Sequence, residues 1–503
     1  MSKALDKYAT SKEDLKQLTS DEVKWMLSAF HHFSVAHLKT GNQDKAHEYL
    51  SEIEHIFQQL GIKDTIDVAL NDYHLSSILI SQERFVEAEK YLNEVTRICK
   101  LFANDHQAKS LTVQSWYLLA QVENQFSQDK ALELYSAILK NIGDVDESAL
   151  SALLPNVYKD MGKIYRSRDD IDNMIKFWEN GLHAAIKYFG ENSTLAFTFL
   201  CDIVDNLAIR DQYELAERYA ENRVKMALKV FPNPHENVAI SYSLLGNIYF
   251  ANEKCPQAIN AYNQAFKVFE RLPRDYSHIL YDVYFSMATA QHALDNHQEA
   301  SDFLDKADQA LIKVNGEPNL SVAAVYCRWA NDLNQFEMLA ASKKYYQKAL
   351  DLYKTLDPSN KVMIFSIYSG LGQIAFELED WDQALELWKE AEKYLDPTDH
   401  PSVQMAYMTL DSIYSNLDND EESEKCVQKI LQSLETTGDT SHIFDAYYES
   451  GEYYEKEKKL EEALPCYEVA ARVYEKDANK DPAKAQNLAA KISQIKKKLQ
   501  KTK

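Results

Sequence analysis

Apolar residues in this chain fall at helical spacing, in pairs of stretches that return in a fixed frame. The clearest copy begins Leu245-Gly246-Asn247-Ile248-Tyr249 and continues with Ala258, Tyr262 and Ala265. It returns as Gly372, Ala384, Trp388 and Ala391, and again as Gly451, Tyr454, Ala463, Tyr467 and Ala470. Earlier in the chain it reads Gly162, Tyr165, Met174, Trp178 and Gly181. The small residue of the second stretch serves as a marker: Ala46, Ala88, Ala131, Met174, Ala216, Ala258, Ala300, Ser342, Ala384, Ser423 and Ala463. The steps between markers are 42, 43, 43, 42, 42, 42, 42, 42, 39 and 40 residues. A period of this length predicts an all-α chain of eleven helical hairpins. Gly, Ala or Ser is expected where two antiparallel helices cross closely. Tyr262, Trp388 and Tyr467 are expected to fill the gap to the next hairpin. Each hairpin buries its apolar stripe only against its neighbours.

This divides the chain into a polar lead-in over 1–24, hairpins over 25–480 and a basic capping helix over 481–503. The lead-in predicts a helix around Lys12 to Leu18. Asp481-Pro482 reads as a helix start, and Leu488, Ile492, Ile495 and Leu499 then share one face. The far side carries Lys484, Lys491, Lys496, Lys497, Lys498, Lys501 and Lys503, expected to be a solvated face. Prolines 232, 234, 273, 318, 358, 397 and 401 fall between hairpins. Pro256 and Pro465 fall near the start of second helices, where early N–H groups lack a partner anyway.

The frame of a small residue, an aromatic three on, then small, bulky and small on a second helix resembles the tetratricopeptide repeat (TPR). The resemblance covers nearly the whole chain, with a period longer by about eight than the usual 34 residues. It implies an α-α superhelix, a TPR solenoid, that holds a partner's segment in a concave groove without catalysis. The longer period resembles the kinesin light chain type. Asn206-Leu207-Ala208, Tyr213 to Glu217 and the junction Phe231-Pro232-Asn233-Pro234-His235-Glu236-Asn237-Val238-Ala239 carry that likeness, as do Asp399-His400-Pro401-Ser402-Val403 and Ala463-Leu464-Pro465-Cys466-Tyr467. The heptad coiled coil that precedes the repeats in that family is missing, so binding to a kinesin heavy chain is not implied.

Composition narrows the function. Twelve glycines in 503 residues is far below the usual share of about 7%, too few for phosphate-cradling loops or tight hairpins. Eleven prolines suit long helices. A net charge of −23 repels a phosphate backbone and disfavours nucleic acid. The six cysteines form no CxxC, which argues against a zinc ribbon or a redox motif. No stretch approaches eighteen apolar residues, so membrane insertion is not expected. No secretory or transit pattern opens the sequence, and the cytosol is the expected compartment.

In this repeat type the first helix of each hairpin lines the groove. Counting back from the markers places Lys159, Lys163 and Arg166 inward at i, i+4 and i+7 in repeat four, with Asp205 beside them in repeat five. The rest of the wall reads as neutral: Tyr73, Trp116, Ser243, Asn247, Phe250, Thr289, His292, Asn331, Asn334, Gln373, Phe376 and Tyr448. A basic stripe in an acidic protein suits a carboxylate or an acidic segment. The amides Asn247, Asn331, Asn334 and Gln373 suit the backbone of an extended peptide. The expected partner is therefore a protein or peptide, with an acidic segment at repeat four. The same cations are also placed to pair with Asp169, Asp170 or Asp205 across solvent. Chaperone-tail clamps of other TPR proteins are similar at Lys159 and Lys163, but Ser77 and Ala120 stand where such clamps carry Asn.

Other chemistries lack their parts. His31-His32 and His292 with His297 do not have the spacing of a zinc helix, and neither metal nor cofactor is expected. Carboxylate pairs at Asp169-Asp170, Asp418 to Glu422 and Glu455 to Glu462 lack the glycine of a calcium loop. Cys201 and Cys327 face inward in this register with no His placed near them, so no catalytic residue is assigned. Three other functions each lack something. A peptide-sensing regulatory array would carry a helix-turn-helix, an RNA-binding TPR protein would need a basic channel, and an enzyme would need a constellation that the groove does not offer.

Overall fold

The computed structural model describes residues 19–316, 318–437, 441–476 and 482–502. Among these the chain is all-α, with no strand and no helix long and apolar enough to cross a membrane. The lead-in helix expected around Lys12 to Leu18 lies outside the described residues. The helices fall into two compact units that divide between Leu272 and Pro273.

The first unit holds six hairpins. They are α1 (Ser20–Lys39) with α2 (Gln43–Leu60), α3 (Ile66–Ser81) with α4 (Phe85–Leu101), α5 (His106–Glu123) with α6 (Gln128–Lys140), α7 (Glu147–Ser167) with α8 (Ile171–Phe189), α9 (Thr194–Ile209) with α10 (Tyr213–Val230), and α11 (Glu236–Ala251) with α12 (Cys255–Phe269). The second unit holds five. They are α13 (Ser277–His292) with α14 (His297–Asn315), α15 (Leu320–Gln335) with α16 (Leu339–Leu356), α17 (Lys361–Glu377) with α18 (Trp381–Glu392), α19 (His400–Asn416) with α20 (Asp420–Thr437), and α21 (Ser441–Lys456) with α22 (Leu460–Glu475). Helix α23 (Pro482–Thr502) follows. Within each unit a helix packs mainly on its predecessor and successor, and some first helices also touch the next first helix, as α5 does α7. This is a TPR solenoid of eleven hairpins.

The markers lie at zero exposure in all eleven hairpins except at Ser423, so the sequence period is a packing period. Gly246 shows why small residues recur on first helices. A Cβ there would lie 2.4 Å from Cε1 of Tyr262, and one on Gly162 would lie 2.1 Å from Nε1 of Trp178. The rings of Tyr262, Trp388 and Tyr467 therefore lie over the glycine of their own hairpin, rather than serving chiefly to fill the gap to the next one. Backbones that approach this closely leave no room for a side chain on both helices.

A second periodic feature was not visible in the sequence. Five residues before the marker, the chain takes one left-handed residue: Gly41, Glu83, Asp169, Asp211, Glu253, Asp295, Glu337, Glu379, Asp418 and Lys458. Only the turn at Phe126 does without it. At the first helix's end the N–H of Asp170 then bonds the Tyr165 carbonyl at 3.0 Å, and Lys254 does the same to Tyr249 at 2.8 Å. Nine of these ten turns spend a side-chain residue on a conformation that glycine adopts freely. Replacing Glu253 with Gly is expected to stabilise its hairpin. The strain relieved, about 1–2 kcal/mol, exceeds glycine's extra chain entropy and leaves a gain of about 0.5–1 kcal/mol. Slower hydrogen exchange in α11 and α12 would show it, and faster exchange would refute it.

Proline placement needs two corrections, and the first is Pro401, which is the second residue of α19 rather than a residue between hairpins. Pro256 is the second residue of α12, as expected, but Pro465 is the sixth of α22 and withholds a helical hydrogen bond. The ends differ too. Leu488 and Ile495 of α23 are buried, with Ile492 and Leu499 packed beside them, so α23 covers the last hairpin. Its basic face is not simply solvated. Lys491 pairs with Glu452 at 3.1 Å and Glu455 at 3.5 Å, and Lys496 with Glu468 at 2.6 Å. Lys484 lies 4.2 Å from the centre of the Phe444 ring. Cations of α23 meet acids and ring faces of α21 and α22.

Candidate partner-binding site

Helix α7 carries Lys159, Lys163 and Arg166 on one face, since residues four and seven apart stack along a helix. Lys159 Nζ lies 3.4 Å from Asp202 of α9, and Lys163 Nζ lies 3.1 Å from Asp160 of its own helix. Asp160 also accepts the Tyr117 hydroxyl of α5 at 2.9 Å. The Arg166 guanidinium is exposed and takes no partner among the described residues, while its carbonyl accepts from Arg210 at 3.0 Å. The acids expected to neutralise this stripe are engaged elsewhere. Asp169 pairs with Arg210 at 2.7 Å, Asp170 caps α8 through the Asn173 N–H, and Asp205 pairs with Arg223 at 2.6 Å.

Arg223 is not among the residues that first-helix register brings out. It stands on α10, buried, with its guanidinium 5.8 Å from the Phe197 ring centre. Its signal was present in the period. Seven residues after each marker the eleven repeats carry Ile, Val, Ile, Gly, Arg223, Ala, Ala, Ala, Ala, Ile and Ala. Arg223 is the one cation in an otherwise uncharged series. Arg223 draws Asp205 toward the second helix, so Asp205 does not stand as a carboxylate beside the α7 stripe.

The amides divide. Asn247 is exposed on α11, and its Oδ1 accepts the Tyr262 hydroxyl at 2.8 Å. Asn331 is exposed on α15 in the other unit, and its Oδ1 accepts the Tyr346 hydroxyl. In both, a tyrosine of the second helix occupies the oxygen, and the NH2 finds no partner among the described residues. Asn334 is half-buried with its Oδ1 enclosed and unbonded, and Gln373 donates along its own helix to Glu377 at 3.1 Å. Two residues read as groove wall are interior instead. Ser243 and Thr289 are buried and bond the Ala239 and Ser286 carbonyls.

Among the described residues no group of three or more His, Cys, Asp or Glu is placed to hold a metal ion. His292 and His297 meet through their Nδ1 atoms at 3.1 Å. All six cysteines are free, and Cys327 is buried rather than inward-facing. Burial pushes the Cys327 thiol up to about 12 and the Cys201 thiol up to about 11, which opposes thiolate formation.

Paired helices at a fixed step, a small residue under each recurring ring and polar side chains on first helices define a helical-hairpin repeat protein. Models of the tetratricopeptide repeat match residues 237–311 and 444–485, and the chain is a TPR protein. No curated protein matches it. Among solved structures, BtubC (BKLC) from P. vanneervenii is similar at 20% identity, covering 47% of this chain and 94% of its own with a TM-score of 0.35. The quorum sensor NprR from B. thuringiensis is similar at 18% identity over 75% of this chain and 99% of its own, with a TM-score of 0.38. The nearly identical TPR-like repeats of a Podosopora anserina chain, a candidate kinesin light chain, are 17% identical over 42% of this chain and 99% of their own, with a TM-score of 0.32. The repeat residues, rather than these likenesses, carry the assignment.

Proposed function

We propose that this chain is a non-catalytic scaffold that holds an extended segment of a partner protein on its first-helix faces, with an acidic stretch of that segment at α7. The observation that carries this reading is the tyrosine-held asparagine, which occurs at Asn247 and again at Asn331. A hydroxyl that fixes the amide oxygen fixes the amide plane, so each NH2 is a preoriented donor for a carbonyl oxygen. Preorientation lowers the ordering cost of binding. At α7 the existing ion pairs are partly exposed and worth about 0–1 kcal/mol each. A partner carboxylate displaces them at little cost and gains charge-assisted bonds from Lys159, Lys163 and the vacant Arg166 guanidinium.

The test is affinity capture with quantitative mass spectrometry on wild type, on Lys159→Glu/Lys163→Glu and on Asn247→Ala/Asn331→Ala. At least one protein should be lost with both double variants while far-UV circular dichroism stays unchanged. A Tyr262→Phe/Tyr346→Phe variant, which frees the amides but keeps the rings, should weaken the same partner. Identical captures from all four proteins would end this reading, and so would tight RNA retention at physiological salt.

A further inference from the structure

Between the first two hairpins lies a cleft of about 650 Å³ that the α7 site does not use. Phe57, Ile62, Val68 and Tyr91 give it apolar walls, and Glu54 and Asp72 place carboxylates in it. Asp72 is 7% exposed, and among the described residues no hydrogen bond or ion pair reaches it. Glu54 accepts the Tyr91 hydroxyl at 3.4 Å and the Gln58 side-chain amide at 3.3 Å, both long, and pairs with no cation among the described residues. The cations at hand do not fill the gap. Arg97 is held by Asp64 and Glu94 at the edge, and Lys63 and Lys90 are exposed on the rim.

The other repeats show what normally occupies this place. Sixteen residues before the marker seven of the eleven repeats carry tyrosine, whereas repeat two carries Asp72. Eight residues after the marker the chain is acidic at only three positions, Glu54, Asp308 and Glu392. At Asp308 the facing tyrosine is Tyr326, whose hydroxyl it accepts, and Lys348 completes the set with its ammonium on Asp308 and 5.2 Å from the Tyr326 ring centre. At Glu392 the facing tyrosine is Tyr407, and Lys429 lies 2.9 Å from Glu392 and 4.3 Å from the Tyr407 ring centre. Both lysines stand six residues after their marker, where repeat two has Glu94. The junction of repeats one and two thus keeps the carboxylate, loses the ring and loses the ammonium, and a cleft remains in their place.

We infer that this cleft is a receptor for a primary ammonium on an alkyl arm, a lysine side chain of a bound partner segment, seated between Glu54 and Asp72 beside the Tyr91 ring. The chain's own Lys348 and Lys429 are the templates for the guest. A carboxylate buried without a partner is stabilised when a cation arrives. The apolar walls cover the methylenes, and Tyr91 matches Tyr345, whose ring centre lies 5.7 Å from the Lys348 ammonium. Burial first, then the nearby Glu54 and Glu94, pushes the Asp72 carboxyl up to about 7, as expected of an acid awaiting a counter-charge.

The probe is Nα-acetyl-lysine amide, with the neutral Nα-acetyl-norleucine amide as control, followed by saturation-transfer NMR on the full chain. The lysine probe should bind saturably and the norleucine probe should not. Asp72→Asn and Glu54→Gln should each weaken the lysine probe about tenfold or more. Glu94→Lys, which grafts the Lys348 arrangement into repeat two, should abolish binding by supplying the guest internally. Lys267→Ala, at an exposed position of α12, should change nothing. Equal binding of both probes would make the cleft merely apolar and overturn the inference, as would a lysine probe indifferent to Asp72→Asn or one that never saturates.

Discussion

Gly246→Ala is expected to destabilise its hairpin by about 3 kcal/mol, at the upper end of what overpacking a filled core costs. The sign is diagnostic. In an open helix interior this substitution stabilises by about 1 kcal/mol, because alanine loses less chain entropy than glycine. Here the new methyl would meet the ring of Tyr262, which has no exposed surface through which to escape. Rotating the ring would also break its bond to Asn247, so packing and the candidate partner contact should fail together. Denaturant melts read the stability change, and hydrogen exchange should place it in α11 and α12. A Tyr262→Leu partner mutation makes room, so the double variant should lose less than the two single losses added. Gly143, where an added methyl would meet no atom within 4 Å, is the control whose alanine variant should be near neutral. A Gly246→Ala protein as stable as wild type would refute the close approach of α11 and α12.

The second large effect concerns Asp72. Its carboxyl ionises near pH 7 in the fold against an ordinary value of 3.8. A carboxyl whose folded value is raised contributes stability that is whole below the ordinary value and is lost as the pH climbs through the raised one. Asp72→Asn keeps the shape and removes the titration. It should therefore match wild type at acid pH and exceed it by roughly 3–4 kcal/mol above pH 7. The charged and titratable groups that line the cleft with Asp72 are Glu54 from α2, Lys63 and Asp64 from the loop before α3, and Glu87, Lys90, Tyr91, Glu94 and Arg97 from α4, of which Glu54 and Glu94 act on it most. Paired melts of the two proteins across the range from pH 4 to pH 8 measure the difference. A constant difference, or a less stable variant, would remove the buried charge from the account. A residue that costs stability in the free protein and is retained at a cleft fits the trade between stability and binding.

The repeat carried most of the fold in plain view. Markers such as Ala258 and Ala384 have to be small wherever two helices touch, and that constraint recurs with the period. Helix α23 was legible because Leu488, Ile492, Ile495 and Leu499 share one face. What the sequence hid depends on partners distant along the chain. Asp205 looks inward by register, yet Arg223, eighteen residues on, claims it. The left-handed turns were hidden for a different reason. Sequence reading seeks glycine there, and apart from Gly41 the turns carry Asp, Glu and Lys instead. The α7 cations were found as residues, but their partners Asp202 and Asp160 depend on how α7 and α9 are rotated about their axes. The most informative sequence signals were exceptions to the period, Arg223 and Asp72, which only a position-by-position comparison of repeats brings out.

The nearest-neighbour packing within each unit also has a mechanical meaning. Since a hairpin leans chiefly on the two beside it, tension along the chain can peel one hairpin from an end without first disrupting distant ones. Each hairpin released pays out about 42 residues, roughly 150 Å of slack once extended. The molecule would behave as a ratcheting tether that lengthens by discrete notches and rewinds from whatever part stays coiled.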